Sequence, residues 1–526
     1  MNGNEKQSAK ANLTELGRAV TLVMALFIAS RALGLARQMV IGSLFGAGSD
    51  LDAYLAAARI SETVFLVITG GALGSAFIPA FAGHLAKKDH VAAWRLASAT
   101  VNLALIALTV VAGLMALLAP TLVQTVIAPG FAPPQQALTA SLLRLMLVSP
   151  IIFGVSGIVM GVLNAHQHFL LPALAPSVYN LSIIGGALLL GPRLGVRGIA
   201  AGVVAGAALH LLVQMPGLLR YGARYIPTLG LDDPSVREVG RLMAPRMLGT
   251  AITQLNFVVN NSLASGLGVG AVSAINYAWL LMMLPQGVFA QAVGTAAFPT
   301  FAAQAARGER DEMRHTLAAT LRSVFALCLP ATVGLLALGQ PLVGLLFERG
   351  AFESSSTEAV AWALAFYALG LVGHAGLEII ARAFYALHDT FTPVWVGGLA
   401  MGLNVALSLT LPGAFGSAGL PPHAGLALAN SAATLLELAA LMALIRRRLD
   451  GLEGRRTLIA FAKSGLASLA MGAALIGWRV ALPHAGSLAV GGGGVLLGAV
   501  VYVAAALILR MEELRAIANL ARRRPG

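Results

Sequence analysis

The chain has 526 residues, 58% of them hydrophobic and 11% charged, and its mean hydropathy is +0.81. Soluble domains carry roughly 25% charged residues, so the composition excludes an ordinary soluble enzyme or binding module and specifies an all-α polytopic membrane protein. The formal charge of +13 does not imply nucleic acid, because the basic residues collect in alternate connections between apolar runs.

The first dozen residues are polar, and the first apolar segment carries Arg31 and Arg37, which is unlike a cleaved signal peptide. Segments long enough for membrane helices of ~20 residues fall at 18–44, 52–83, 92–119, 137–164, 172–191, 196–219, 240–266, 271–304, 313–339, 357–387, 392–412, 424–446, 458–482 and 487–510. About fourteen transmembrane helices are therefore expected. Pro79, Pro150, Pro245, Pro285 and Pro299 are expected to break or kink them.

Lys and Arg mark one side of the membrane: Lys87, Lys88 and Arg95; Arg220, Arg224, Arg237 and Arg241; Arg307, Arg310 and Arg314; Arg446 to Arg448 with Arg455 and Arg456; and the tail from Arg510 to Arg524. The intervening connections hold almost no base, apart from GPRLGVRG and FERGAFESSSTE. With about fourteen spans this places both termini in the cytoplasm, and the surplus positive charge suits contact with anionic membrane lipids.

Internal repetition organises the chain further. GLMALLAPTLVQTVIAPGF from Gly113 aligns with GLLALGQPLVGLLFERGAF from Gly334 at an offset of 221, which also carries Pro172 onto Pro393. An offset of 220 carries Pro79 and Phe81 onto Pro299 and Phe301. The expected plan is a cytoplasmic tail (1–17), an N-lobe of six helices (18–220), a C-lobe of six (240–448), a C-terminal helix pair (457–511) and a basic cytoplasmic tail (512–526). An even number of spans per lobe makes the repeats parallel. Such repeats place a substrate site between the lobes and give alternating access by rocking.

Candidate site residues concentrate between Ser30 and Glu62. Arg31, Arg37, Asp52, Arg59 and Glu62 lie within or beside segments otherwise apolar enough to span a bilayer. Each Arg or Asp at mid-membrane costs about 2.5–3.5 kcal/mol on a translocon scale, so these groups face either one another or a wet cavity. Asp52 and Arg59, seven apart, share a helix face, and Glu62 can pair with Arg59. The arginines suit an anion of phosphate type, whose oxygens a guanidinium binds bidentately. The structural alternative pairs Arg31 or Arg37 with Asp52 and Arg59 with Glu62, or makes Asp52 a helix cap. Arg246 stands near the start of the seventh segment, facing the cavity or snorkelling to the rim.

In the second lobe, His374, Glu378 and Arg382 recur on one helix face, where a Glu378–Arg382 pair is favoured over a proton relay. Asn256, Asn260, Asn261 and Asn404 read as interhelical hydrogen-bonders. Cys328 reads as a small buried hydrophobe, and His166 and His168 lack further metal ligands nearby. No Walker loop, HExxH or GxSxG motif occurs. A transporter without catalytic residues, metal or cofactor is therefore expected.

SRALGLARQMVIGSLFGAGSDLDAY, GGALGSAFIPAF, NAHQHFLLPALAPSVYN, QLNFVVNNSLASGL, LPQGVFAQAVGTAAFPTF and LLFERGAF…RAFYALHDTFTPV resemble the MurJ (MviN) lipid II flippases of the multidrug/oligosaccharidyl-lipid/polysaccharide exporter superfamily. The likeness covers nearly the whole chain. It implies two six-helix lobes plus two helices forming a lipid-facing groove, and movement of undecaprenyl-diphosphate-linked muropeptide (lipid II) across the bacterial inner membrane. It also implies a monomer that works beside cell-wall synthesis proteins. Arg31, Arg37 and Asp52 match the family's cavity charges, and Arg59 matches a basic position after the Asp. The chain departs from the family at Gln38, where an acid is common, and in YAWLLMMLP, where Trp279, Leu280 and Met283 replace charged residues. Asn260 and Ser408 stand where some members carry sodium-site carboxylates. Arg246 is expected to restore cationic charge lost from the eighth segment. The nearest alternatives are a flippase for another polyprenol-linked glycan and, less favoured by an Arg-lined cavity, a drug or cation antiporter.

Overall fold

The computed structural model describes residues 24–26, 28–69 and 76–513. The expected tails at 1–17 and from residue 514 onward lie outside that set. The described residues are helical, with no strand among them. We number the principal helices α1 (Met24–Phe45), α2 (Ser49–Thr69), α3 (Ile78–Ala86), α4 (His90–Leu117), α5 (Pro133–Ala165), α6 (Leu170–Leu194), α7 (Val196–Arg220), α8 (Pro234–Ser265), α9 (Ala271–Ala306), α10 (Arg310–Phe347), α11 (Ser354–Ala386), α12 (Phe391–Ser417), α13 (Pro422–Arg448), α14 (Gly454–Ala481) and α15 (Leu488–Ile508).

Twelve of these are long and apolar enough to cross a membrane, two fewer than the fourteen segments expected. Outside that set are α2 and α8, the helices of the second and seventh segments, together with the short α3. The reason is chemical. Helix α2 holds Asp50, Asp52, Arg59 and Glu62, and α8 holds Arg237, Glu238, Arg241, Arg246 and three asparagines. Three of the five prolines sit at irregularities: Pro150 follows a break at Leu147, Pro79 opens α3, and Pro285 precedes a widened π-type turn at Gly287–Gln291. Pro245 and Pro299 sit inside continuous helix.

The chain divides into two compact units, the first ending at Gly266 and the second beginning at Leu267. In the first, Phe77, Phe81, Trp94, Leu96, Ile158 and Val162 form a core that also takes Val236 and Val239 of α8. The far end of α8 is tied to the turn after α4, where Asn261 Nδ2 donates to the Ile127 carbonyl (3.1 Å) and the Gly130 N–H donates to Ser265 Oγ (3.1 Å). Helices α6 and α7 meet backbone to backbone. A Cβ added at Gly186 would lie 2.6 Å from the Gly198 carbonyl oxygen, and one at Gly202 would lie 2.9 Å from that of Ser182. Small residues replace the missing hydrophobic drive between membrane helices by letting backbones touch.

In the second unit α11 is the central helix, with most of its residues buried or half-buried. Helix α10 carries the C-terminal pair: Leu338, Met471, Leu475 and Tyr502 share a core, and the Tyr502 hydroxyl donates to the Ala326 carbonyl (2.5 Å). The connection into α14 is pinned at Glu453, which pairs with Arg322 (2.6 Å) and His315. The outer faces of α14 and α15 expose Leu466, Leu469, Val480, Leu496 and Val500, the surface a lipid environment would cover.

Backbone geometry carries the repeat. Left-handed residues pair between the halves as Gly46 with Gly268, Lys88 with Gly308, Gln167 with His388, and Gly195 with Gly419. These are the same offsets, to within a few residues, that align the sequence. Side chains at equivalent turns differ. Just before Gln167, His166 stacks on Tyr221 (4.2 Å, 8°). After His388, Asp389 accepts from the Thr392 N–H (2.9 Å) and hydroxyl (2.6 Å) and pairs with Arg448 (2.5 Å).

Two outcomes follow. Gly186→Ala should destabilise the first unit by about 1–3 kcal/mol through overpacking, whereas Gly185→Ala, whose Cβ would meet nothing within 4 Å, should leave it near wild type; thermal unfolding of the purified protein compares them. The Thr392 hydroxyl and N–H, with Arg448, hold the Asp389 carboxyl below its usual range. A depressed folded-state pKa gives stability above the ordinary carboxylate range that is lost as pH falls through the folded value. Asp389→Asn should therefore lower Tm at neutral pH and flatten its decline in acid.

Candidate functional site

All five expected site residues lie in the first unit, on α1 (Arg31, Arg37), α2 (Asp52, Arg59) and α8 (Arg246). Helix α1 packs on α6: Asn180 Nδ2 approaches the Ser30 carbonyl at 3.4 Å and lies 3.9 Å from where a Gly34 Cβ would stand. Helices α2 and α8 pack directly on one another.

Arg37 is half-buried. Its Nε is buried and has no hydrogen-bond partner, and the side chain makes no ion pair among the described residues. The proposed pairing of Arg37 with Asp52 is therefore not formed. Around it stand two tyrosines that the sequence reading did not single out, Tyr54 of α2 and Tyr179 of α6; both are within electrostatic reach of Arg37 and of Glu62. Tyr179 is fixed edge-on by Phe153 (5.0 Å, 79°), which also packs on Phe65 (5.1 Å). The signal for these tyrosines was present: Tyr54 follows Asp52 by two residues, and Tyr179 sits in the SVYN stretch.

Arg59 meets Glu62 at 3.4 Å, as the spacing required, and lies over the ring of Phe257 on α8 at 5.0 Å. Asp52 is fully buried. Helix α2 begins at Ser49, so Asp52 is its fourth residue and not its cap. Arg31 and Arg246 are exposed. Tyr54 and Tyr179 thus stand near Arg37, Phe257 lies under Arg59, and a buried N–H donor of Arg37 has no protein acceptor. A donor of this kind is satisfied by water or by an anionic oxygen.

In the second unit Glu378 and Arg382 form the anticipated pair (2.7 Å). His374 faces Asn430 Oδ1 (3.1 Å), and Trp279 packs edge-on against the His374 ring (5.3 Å, 88°). The indole thus occupies a polar seam where the resemblance leads one to expect an acid. Asn404 accepts from Ser408 (3.0 Å), and Cys328 is buried.

The family model described as lipid II flippase MurJ matches residues 41–491. The chain belongs to the lipid II flippase MurJ family. Among curated relatives, the lipid II flippase MurJ of Burkholderia cenocepacia is 32% identical over 443 residues, covering 82% of this chain and 84% of that protein. The probable lipid II flippase MurJ of Thermotoga maritima is 30% identical over 490 residues, 93% and 95% of the two chains. A solved MurJ structure in an inward closed conformation superposes with a TM-score of 0.78 at 24% identity, over 93% of this chain and 99% of that one. An inward-facing multidrug resistance MATE transporter of the MOP superfamily gives 0.68 at 15% identity, over 82% and 99%. These two likenesses establish the fold. Family membership makes the chain a multi-pass membrane transporter and not an enzyme.

The Arg59–Phe257 contact yields a measurable coupling. Cation–π pairs contribute about 0.5–2 kcal/mol, more when desolvated. In a double-mutant cycle, Arg59→Gln and Phe257→Leu should show a coupling in that range, read from thermal unfolding of the purified variants.

Proposed function

We propose that this MurJ-family protein moves lipid II across the bacterial cytoplasmic membrane by alternating access, with Arg31, Arg37, Asp52, Arg59 and Arg246 serving the diphosphate headgroup. The observation that supports the headgroup role is the buried, unpartnered Nε of Arg37. A buried cationic donor without a protein acceptor is costly unless an anionic oxygen or water reaches it, and a diphosphate offers several such oxygens to a planar fork. The apolar outer faces of α14 and α15 suit a polyprenyl tail. The alternation of basic connections supports cytoplasmic termini. The paired left-handed turns support two duplicated six-helix lobes (18–220 and 240–448), which the alternating-access scheme needs.

A flippase for a different polyprenol-linked glycan is the second reading. It is favoured by Trp279 on His374, which puts an aromatic ring where a charge is expected and would alter sugar or peptide contacts without affecting the diphosphate. A drug or cation antiporter fits less well, because cationic cargo is repelled by the arginines. Partnership with cell-wall synthesis proteins and a monomeric state belong to the same proposal.

Complementation of a conditional flippase depletion, scored by lipid II accessible outside the cell, tests the assignment. Wild type should restore accessibility; failure with normal membrane abundance would favour the second reading. Loss of a hydrogen bond to a charged group corresponds to about 1.5–3 kcal/mol, or roughly 10- to 150-fold weaker headgroup binding. Arg37→Ala should therefore abolish complementation, with Arg37→Lys intermediate. If Arg246→Ala flips normally while Arg37→Ala does not, Arg246 has no part in the grip.

A further inference from the structure

Glu437 is an acid in the interior of a membrane helix. It stands eleven residues before the end of α13 at Arg448 and fifteen after its start at Pro422, about 16 and 22 Å along the axis, close to the middle of a hydrocarbon core about 30 Å thick. The side chain is half-buried and directed at α12, where a Cβ added to Gly397 would lie 3.2 Å from Oε1. It has no ion pair and no hydrogen bond among the described residues. Ionisable groups inside membrane segments ordinarily pair with one another or mark an ion pathway.

The neighbouring elements offer no counter-charge. Helices α11, α12 and α9 pack on α13. From Phe391 to Ser417, α12 holds no titratable residue, and α9 offers Tyr277 between Ala271 and Gln286. Helix α11 carries Glu358, Tyr367, His374, Glu378, Arg382 and Tyr385. Of these, Tyr385 lies within electrostatic reach of Glu378, Arg382 and Glu437. Arg382 is committed elsewhere, to the Glu378 carboxylate (2.7 Å), and it presses on α9 so closely that a Cβ at Gly294 would fall 2.2 Å from its Nη1. On α13 itself, Asn430 and Thr434 precede Glu437 at i−7 and i−3, one helical face. His374 meets both, at 3.1 and 3.4 Å. A hydrogen-bonding stripe thus runs along α11 and α13 and stops about one helical turn short of a carboxyl with no counter-charge.

We infer that Glu437 is a proton-binding site of the second unit, neutral while enclosed between α12 and α13 and ionised when that seam is hydrated. The step is a plain protonation: the carboxylate gains one proton to form the acid, then returns it to water. Two conformations that hold the carboxyl in dry and wet surroundings bind the proton unequally, and by linkage the proton biases their populations. Coupling of this equilibrium to transport rests on the flippase reading given above; the proton site itself does not.

Two measurements separate the claims. Infrared difference spectra of the purified full chain in nanodiscs, recorded across a pH series, should contain a protonated carboxylic-acid C=O band that persists near neutral pH and is lost in Glu437→Gln. No such band, or an identical band in the variant, overturns the proton site whatever transport does. In proteoliposomes carrying fluorescent lipid II, an imposed pH gradient should change the flipping rate of wild type, and Glu437→Gln should lose that response while keeping flipping in its absence. Equal gradient responses in both proteins overturn the coupling. No flipping by wild type, with the band present, overturns the flippase reading and leaves the proton site standing. Should Glu437→Gln fail to fold, Gly397→Ser, which offers the carboxyl a hydrogen-bond partner, should shift the band; an unshifted band counts against the site.

Discussion

A formal charge inside a membrane helix must find either an opposite charge or water, and most of what is particular to this protein follows from where that requirement is met and where it is not. Helix α2 carries four charged residues in twenty-one, of which Asp52 is buried and Arg59 half-buried, and Phe257 of α8 lies against Arg59. Arg59 is held by a carboxylate and a ring face together. Arg37 has tyrosines nearby and leaves one donor unanswered. One arginine has its charge met by neighbouring groups and the other keeps an unanswered donor, although the two look alike in the sequence.

Close backbone packing supplies the framework. Glycines of α6 and α7 allow contact that any side chain would prevent, and Gly370, Gly373 and Gly376 of α11 do the same against Ser431, Thr434 and Leu438 of α13. Because glycine contributes shape and no chemistry, polar groups on the same helices can take positions that serve other purposes. The stripe of His374, Asn430 and Thr434 is held in register by those glycine contacts.

Backbone turns recur between the halves while the side chains at them differ. Left-handed turns recur at matched positions in both halves, yet one turn is closed by a histidine stacked on a tyrosine and its counterpart by an aspartate, a threonine and an arginine. The same divergence runs through the interior. The first unit gathers arginines suited to an anion, while the second holds Glu378 already paired and Glu437 without a counter-charge. The two halves are chemically unlike although their turns match.

Helical class was legible from sequence, because it depends on local composition and on spacing along one helix. The Glu378–Arg382 and Arg59–Glu62 pairs were legible for the same reason: residues three or four apart on a helix must be neighbours. Twelve of the helices are plainly apolar spans; the second and seventh segments fall outside that set because charged and amide side chains dilute their hydropathy. Tertiary structure alone decided that α8 packs along the first unit and brings Phe257 to Arg59, that Tyr54 and Tyr179 flank Arg37, and that Asp52 is buried and does not cap its helix. It also left Glu437 facing a helix with no charge to offer. Contacts between helices distant in sequence depend on which face of each helix turns toward which neighbour, and no periodicity within a single segment encodes that choice.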